Sequence, residues 1–223
     1  MNQQSQRFLQ RGSSNILIQI GVSFIIIAIA LAIFLFYPII YLEGEYILLS
    51  GTTKSEVALS DPRSSAQKIG QRPKIIPVDK EFGIIIPKID ANSKVVSNVN
   101  PFDPDVYQNA LTMGVAHAKG TPLPGQVGNT FLFSHSSSNF YDATKYNAQF
   151  YLLNKLEKKD IFHLVYDYRI FTYKVTSIQI VDATDVKYLD SSANGHTATL
   201  MTCWPPGTSL KRLLVHGELV ASE

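Results

Sequence analysis

TLMTCWPPGTSLKRLLVHGEL, residues Thr199 to Leu219, decides how the rest of the 223-residue chain is read. It holds the only cysteine, Cys203, at the end of a β-like run. Pro205 and Pro206 follow, and strand pairing cannot continue through them because proline has no backbone N–H to donate. Gly207 completes the turn signal, and a second apolar run resumes at Leu210 with Arg212 near its start. Two strands joined by a short loop would hold a thiol and a guanidinium at the same end of a sheet. That arrangement suits a cysteine nucleophile attacking a carbonyl, with an arginine steadying the negative oxygen that develops.

The remaining composition narrows the function classes. The length allows one domain with an appendage. The formal net charge is +2 and no lysine/arginine run stands out, so nucleic-acid binding has no support from charge. One cysteine cannot form an internal disulfide; in an exported domain it is either a small buried hydrophobe or a reactive thiol. The five histidines are scattered without metal-ligand spacing, and neither a metal nor another cofactor is expected.

From Ile16 to Phe36 the residues are nearly all apolar, interrupted by Gln19, Gly21 and Ser23. As a helix this run covers about 30 Å, the thickness of a bilayer's hydrocarbon core. Tyr37 and Tyr41 sit where an aromatic interface belt belongs. Arg7 and Arg11 precede the run, while Glu43 and Glu45 follow it. The expected organisation is therefore a cytoplasmic tail over 1–15, a transmembrane anchor over 16–42 and an extracytoplasmic linker over 43–80. Ala28, Ala30 and Ala32 mimic a signal-peptide cleavage site, but the apolar run continues past them through Phe36. Within the polar linker, Val57 and Leu59 are the few apolar residues and allow a short helix.

Over 81–223 the texture changes to short β-like runs separated by turn residues. Strands are expected at Phe82–Ile86, Lys94–Val99 and Thr130–Phe133, and Gly120–Asn129 reads as a loop. Asp160–Tyr166 and Ile170–Ile180 read as a hairpin around Asp167-Tyr168-Arg169. Two short helices are expected, Asp105–Met113 with Val106, Ala110 and Met113 on one face, and Ala148–Leu156. Many short strands with few helices predict an all-β closed barrel or sandwich. His163 and His216 fall inside strands and His196 in a turn, so His117 and His135 remain as acid/base candidates. Alternation groups Arg212 with Leu214 and His216, which leaves it either in a site or facing solvent beside Lys211.

Several segments resemble one family. Thr199-Leu200-Met201-Thr202-Cys203 is similar to the TLxTC signature of sortases, the membrane-anchored cysteine transpeptidases of bacterial surfaces. Arg212 occupies the place of their arginine, and Gly128-Asn129-Thr130-Phe131-Leu132-Phe133-Ser134-His135 resembles the strand delivering their histidine. Ile86-Pro87-Lys88-Ile89, Gly114-Val115-Ala116-His117 and Leu123-Pro124-Gly125 also resemble recurring segments. Ser134 departs from the pattern, since a glycine usually precedes the histidine.

The resemblance covers Phe82 to Val220 and implies an eight-stranded barrel with short helices over 81–223. It implies catalysis by Cys203, His135 and Arg212. The substrate would be an LPxTG-like sorting signal, cut between Thr and Gly through a thioester. An amine would then take the acyl group, either a peptidoglycan-precursor cross-bridge or a pilin lysine. The short loop before Arg212 and the N-terminal anchor are compatible with class D or E. Two other functions remain: a surface cysteine peptidase using water as acceptor, and a non-catalytic tethered binding domain.

Overall fold

The computed structural model describes residues 18–33, 56–57, 74–136, 149–189 and 194–223. The chain divides into two units, Met1–Leu48 and Leu49–Glu223. The first contains helix α1, residues 18–33, whose apolar side chains are exposed on every side. The hydroxyl of Ser23 donates to the carbonyl of Gln19 at 2.9 Å, so one of the polar residues in the run is satisfied within the helix. Among the described residues no helix is long and apolar enough to cross a membrane. The run expected to do so, Ile16–Phe36, extends beyond the described residues on both sides.

In the second unit Glu56–Val57 pairs in parallel with Lys74–Ile75. Val57 is thus in a strand instead of the expected short helix, and Leu59 lies outside the described residues. Eight further strands follow: β1 (Phe82–Ile86), β2 (Ala91–Val99), β3 (Val115–Ala118), β4 (Gly128–Phe133), β5 (Ile161–Tyr166), β6 (Arg169–Asp182), β7 (His196–Trp204) and β8 (Lys211–Ser222). They close into a barrel in the order β8-β6-β5-β1-β2-β3-β4-β7, with β7 returning to β8. The all-β eight-stranded barrel expected from the sequence is the observed fold.

Local chemistry explains most boundaries. Pro87 ends β1, and the chain passes through a 3₁₀ turn over Pro87–Ile89. The β5–β6 hairpin turns through Asp167 (φ 49°) and Tyr168 (φ 60°), the doubly left-handed pattern of a type I′ turn. Their amides donate to Glu81 O at 3.0 Å and Lys80 O at 2.9 Å, which holds that conformation. Helix α2 (Pro104–Met113) links β2 to the parallel β3; Asp103 caps it, accepting from Val106 N at 3.3 Å, and Pro104 opens it.

Two expectations are corrected, and one strand was not expected. The buried side of α2 is Tyr107, Ala110 and Leu111, while Val106 and Met113 are exposed. Val115–Ala118 is a strand; four consecutively buried residues carry no alternation to reveal it. The described part of Ala148–Leu156 contains only a 3₁₀ turn at Leu153–Lys155. Leucines spaced by three satisfy a tight turn as well as an α-helix, and Leu153 and Leu156 reach the core from it.

The core is continuous with the strand that carries the cysteine. Leu200 is fully buried, with Leu132 of β4 on one side and Val215 of β8 on the other. Gly217 lies at a register shift of β8, where a Cβ would come within 2.6 Å of the Phe162 ring; that ring stacks on Tyr173 at 5.3 Å. Leu200→Ala is expected to lower unfolding free energy by about 2–5 kcal/mol, measured by urea denaturation. A loss well below that range would show that β7 is not packed as described.

Candidate active site

Two pairings of β7 assemble one end of the barrel. On one side β7 runs parallel to β4, with Phe133 opposite Met201, so both strands finish at the same rim. The rim is clamped beyond the last paired residues. Ser134 N donates to Met201 O at 3.1 Å, and the buried hydroxyl of Thr202 donates to Ser134 O at 2.9 Å. The residues immediately before His135 and Cys203 are therefore tied together.

On its other side β7 runs antiparallel to β8, and Cys203 is directly opposite Arg212. Directly opposed residues of an antiparallel pair project from the same face. Strand alternation puts Cys203 on the face of Met201, which packs with Phe131 and Phe133 beneath Ala110 and Leu111 of α2. The lumen of an eight-stranded barrel is filled by side chains and cannot admit a helix, so this face is the outer one.

There a cavity of about 750 Å³ is lined by Cys203, His135 and Arg212 together, with Leu111, Phe133 and Met201 among its apolar residues. Cys203, His135 and Arg212 are each half-buried. Arg212 Nη1 donates to the carbonyls of Ser209 and Lys211, both at 3.1 Å. Among the described residues no other hydrogen bond engages the guanidinium, which leaves its Nε and Nη2 donors for a ligand. The Nε2 of His135 lies 3.1 Å from Gln108 Oε1 of α2.

Tyr188 completes the cavity wall from the β6–β7 connection and stacks on Phe131, with centroids 5.6 Å apart. Burial pushes its phenol up; the Arg212 guanidinium opposes that, and Asp185 and Cys203 add to it. This phenol thus senses both Cys203 and Arg212.

The other histidines are committed elsewhere. His117, in β3, accepts from Asn98 N through Nδ1 at 3.3 Å. Its Nε2 then carries the hydrogen, 2.9 Å from Thr121 Oγ1 and 3.2 Å from Pro122 O. It lines a separate cavity, and burial lowers its pKa against the opposing bonds from Pro122 and Thr121. His216 bonds Thr199 Oγ1 at 2.9 Å and is lowered by burial. His163 bonds Thr172 Oγ1 at 3.0 Å and is pushed down to about 4 by burial. His196 is exposed at the far end of β7. Of the two candidates left by the sequence, His135 is the one that shares the cavity with Cys203.

Among the described residues no cluster of His, Cys, Asp or Glu is placed to hold a metal ion. The Sortase domain model matches residues 84–220, which takes in all or most of every strand of the barrel. The chain belongs to the sortase family. Its chemistry is that of a cysteine transpeptidase, and Cys203 is the only cysteine available for it.

Relatives agree over the same region. The chain is 27% identical over 174 residues to Sortase D of Bacillus subtilis (strain 168), spanning 77% of this chain and 75% of that protein. It is similar to sortase C-1 from Actinomyces oris, with a TM-score of 0.54 and 28% identity over 65% of this chain and 76% of the other. The Clostridium perfringens sortase C solved with the C-terminal cell wall sorting motif gives a TM-score of 0.51 at 27% identity, covering 62% and 69%.

Gln108 and Tyr188 line this sortase's cavity without having been singled out in the sequence. The partner of Gln108 is 27 residues away, a separation no local pattern reports. The pKa shift of His163 has a measurable consequence. Its folded value of about 4 lies below the unfolded 6.5, so the unfolded chain binds more protons between them. Stability is expected to fall by roughly 3 kcal/mol as pH drops through that window, at about 1.4 kcal/mol per pH unit. His163→Gln should flatten this slope in urea denaturations compared at neutral pH and near pH 4. An unchanged slope would remove His163 as its source.

Proposed function

We propose that Cys203 is the nucleophile, His135 the proton carrier and Arg212 the oxyanion donor of a sorting-signal transpeptidation. The observation carrying this reading is that all three line one cavity, with Cys203 and Arg212 opposed in register. A free thiol has a pKa near 8.5, so its reactive thiolate needs help at neutral pH. His135 supplies it by holding the thiol proton as imidazolium. The thiolate attacks the carbonyl of the threonine in an LPxTG-like motif. Charge collects on the carbonyl oxygen, where Arg212 donates through its unengaged N–H groups. The intermediate collapses, His135 protonates the departing glycine amine, and a thioester remains on Cys203.

In the second half a new amine attacks the thioester, passes a proton to His135 and expels the thiolate. The acceptor is a peptidoglycan-precursor cross-bridge or a pilin lysine, and water would give hydrolysis instead. The cavity volume falls within the usual range of about 300–1,000 Å³ for ligand sites, enough for several residues of an extended peptide. The Clostridium perfringens sortase C solved with its sorting motif supports the substrate class. Similarity to the Bacillus subtilis Sortase D favours class D over class E.

Residues 16–42 anchor this domain at the outer surface of a cell membrane, with 1–15 cytoplasmic and 43–80 as the linker. The apolar side chains exposed all round α1 support this, as does the order of Arg7 and Arg11 before the run and Glu43 and Glu45 after it. Protease added to intact cells stripped of their wall should degrade the barrel. Digestion only after lysis would overturn the orientation.

The chemistry is tested by incubating the enzyme with an LPxTG-like peptide, with and without an amine, and identifying the products. A ligated product that depends on the amine is expected; hydrolysis alone in its presence would identify a peptidase. His135→Ala should abolish acyl-enzyme formation, while His117→Ala should retain substantial turnover where it folds. Arg212→Lys keeps the charge but loses the planar fork of donors, and should cost about 10²–10³ in kcat. Near-wild-type turnover in a folded Arg212→Ala enzyme would remove Arg212 from the mechanism.

A further inference from the structure

Tyr188 sits in a 3₁₀ turn, Lys187–Leu189, within the β6–β7 connection. Leu189 N donates to Val186 O at 3.0 Å, and Lys187 N donates to Asp185 Oδ1 at 3.1 Å. The ring of Tyr188 lies against Phe131 of β4 with the two planes 17° apart, and Phe131 is itself fully buried. Turn and stack hold the backbone and the ring whether or not that ring carries a hydroxyl.

The hydroxyl is the part the fold does not use. Tyr188 is half-buried in the wall of the catalytic cavity, and among the described residues its phenol has no hydrogen-bond partner. A tyrosine hydroxyl withdrawn from solvent usually finds one. The phenol interacts with the Arg212 guanidinium and with Cys203, which puts its polar end on the side of the reacting groups. Burial pushes its pKa up against the opposing guanidinium, so near neutral pH it keeps its proton and is a donor. Among the described residues that line the cavity none is acidic, so this donor faces no carboxylate there. A peptide that enters displaces water from the wall and has to supply an acceptor in its place. The main chain of an LPxTG-like motif suits that demand: every residue brings a carbonyl, whereas the proline brings no N–H.

We infer that Tyr188 is a substrate-binding residue whose hydroxyl donates to a main-chain carbonyl of the sorting peptide, one other than the carbonyl that Cys203 attacks. This rests on the reading of the cavity as the sorting-signal site. A main-chain contact holds the peptide without selecting among side chains. Because it is made before attack and kept through it, it acts on binding and leaves the chemical step unchanged.

The test measures kcat and KM for the full chain in detergent with an added amine, using LPxTG-like peptides with alanine, glutamate or lysine at x. Wild type, Tyr188→Phe and Tyr188→Leu are compared, with thermal unfolding as a check on the fold. Tyr188→Phe keeps the stack on Phe131 and should unfold as wild type does. It should raise KM about tenfold with kcat little changed, and by the same factor for all three peptides. Alkylation of Cys203 by a small haloacetamide should proceed at the wild-type rate in Tyr188→Phe. Tyr188→Leu should lose at least as much affinity. Wild-type KM in Tyr188→Phe would overturn the inference, and a loss confined to Tyr188→Leu would assign the effect to the ring. A penalty that differs among the peptides would place the contact on a side chain. A parallel fall in kcat and in alkylation rate would assign Tyr188 to the thiol. Each of these outcomes leaves the proposed transpeptidation standing, whereas wild-type enzyme that processes none of the peptides would overturn both.

Discussion

Everything at the rim depends on the register between β7 and β8. Because side chains alternate with a period of two, a one-residue slip would turn Arg212 to the opposite face from Cys203. Apolar pairs alone specify register weakly, since Leu213, Leu214 and Val215 are interchangeable in hydrophobicity. A polar network supplies the missing specificity. Thr199 and His216 are directly opposed, and Thr199 Oγ1 lies 2.9 Å from His216 Nδ1. The same hydroxyl donates to Asn129 Oδ1 of β4, also at 2.9 Å. Its one proton being used there, it accepts from His216 Nδ1–H, which fixes the tautomer of that ring. Three adjacent strands are thus locked by groups that would each be left unpaired after a slip, at about 1–3 kcal/mol apiece.

That network also explains why His216 is unsuited to acid/base work despite sharing β8 with Arg212. A proton carrier has to change its charge state and remain in reach of the reacting atoms. Burial lowers the pKa of His216, His163 and His117, and each already has a ring nitrogen committed to hydrogen bonding. Protonating His117 at Nδ1 would cost the bond from Asn98 N, where the backbone is left-handed (φ 60°). His135 lines the cavity with Cys203, and its Nε2 lies 3.1 Å from Gln108 Oε1.

Much of this was legible in the sequence, for identifiable reasons. β1 was expected with the bounds it has, since Pro87 supplies a hard stop to an apolar run. The β5–β6 hairpin was legible from two apolar runs around a short polar turn. The cysteine turn was legible because two prolines and a glycine interrupt it. By contrast, β3 is short and buried at every position, so neither alternation nor length announces it. The face of α2 was misjudged because Val106 and Met113 are as apolar as the residues it buries, and only the position of the barrel chooses between them. Arg212 could not be assigned a face until Cys203 was seen opposite it. Ser134 shows the same limit: its place before His135 was evident, but its backbone clamp to β7 and its buried hydroxyl, without a hydrogen-bond partner among the described residues, were not.

The groups at the rim are held with different degrees of stiffness, and the difference follows from where each sits. Cys203 and Arg212 belong to paired strands, so their separation is set by a backbone ladder and changes little unless the sheet is disrupted. His135 follows the end of a strand, and its Nε2 lies 3.1 Å from Gln108 Oε1 of α2. Further cavity walls come from α2 and from the β6–β7 connection that carries Tyr188, both outside the ladder. Substitutions in those walls can reshape the space for a peptide while leaving the Cys203–Arg212 pair intact. Substitutions in α2 also bear on the histidine, because that helix supplies both a wall of the cavity and a hydrogen-bond partner of the ring. The shape of the cavity thus depends on that helix, whereas the Cys203–Arg212 pairing depends on the sheet.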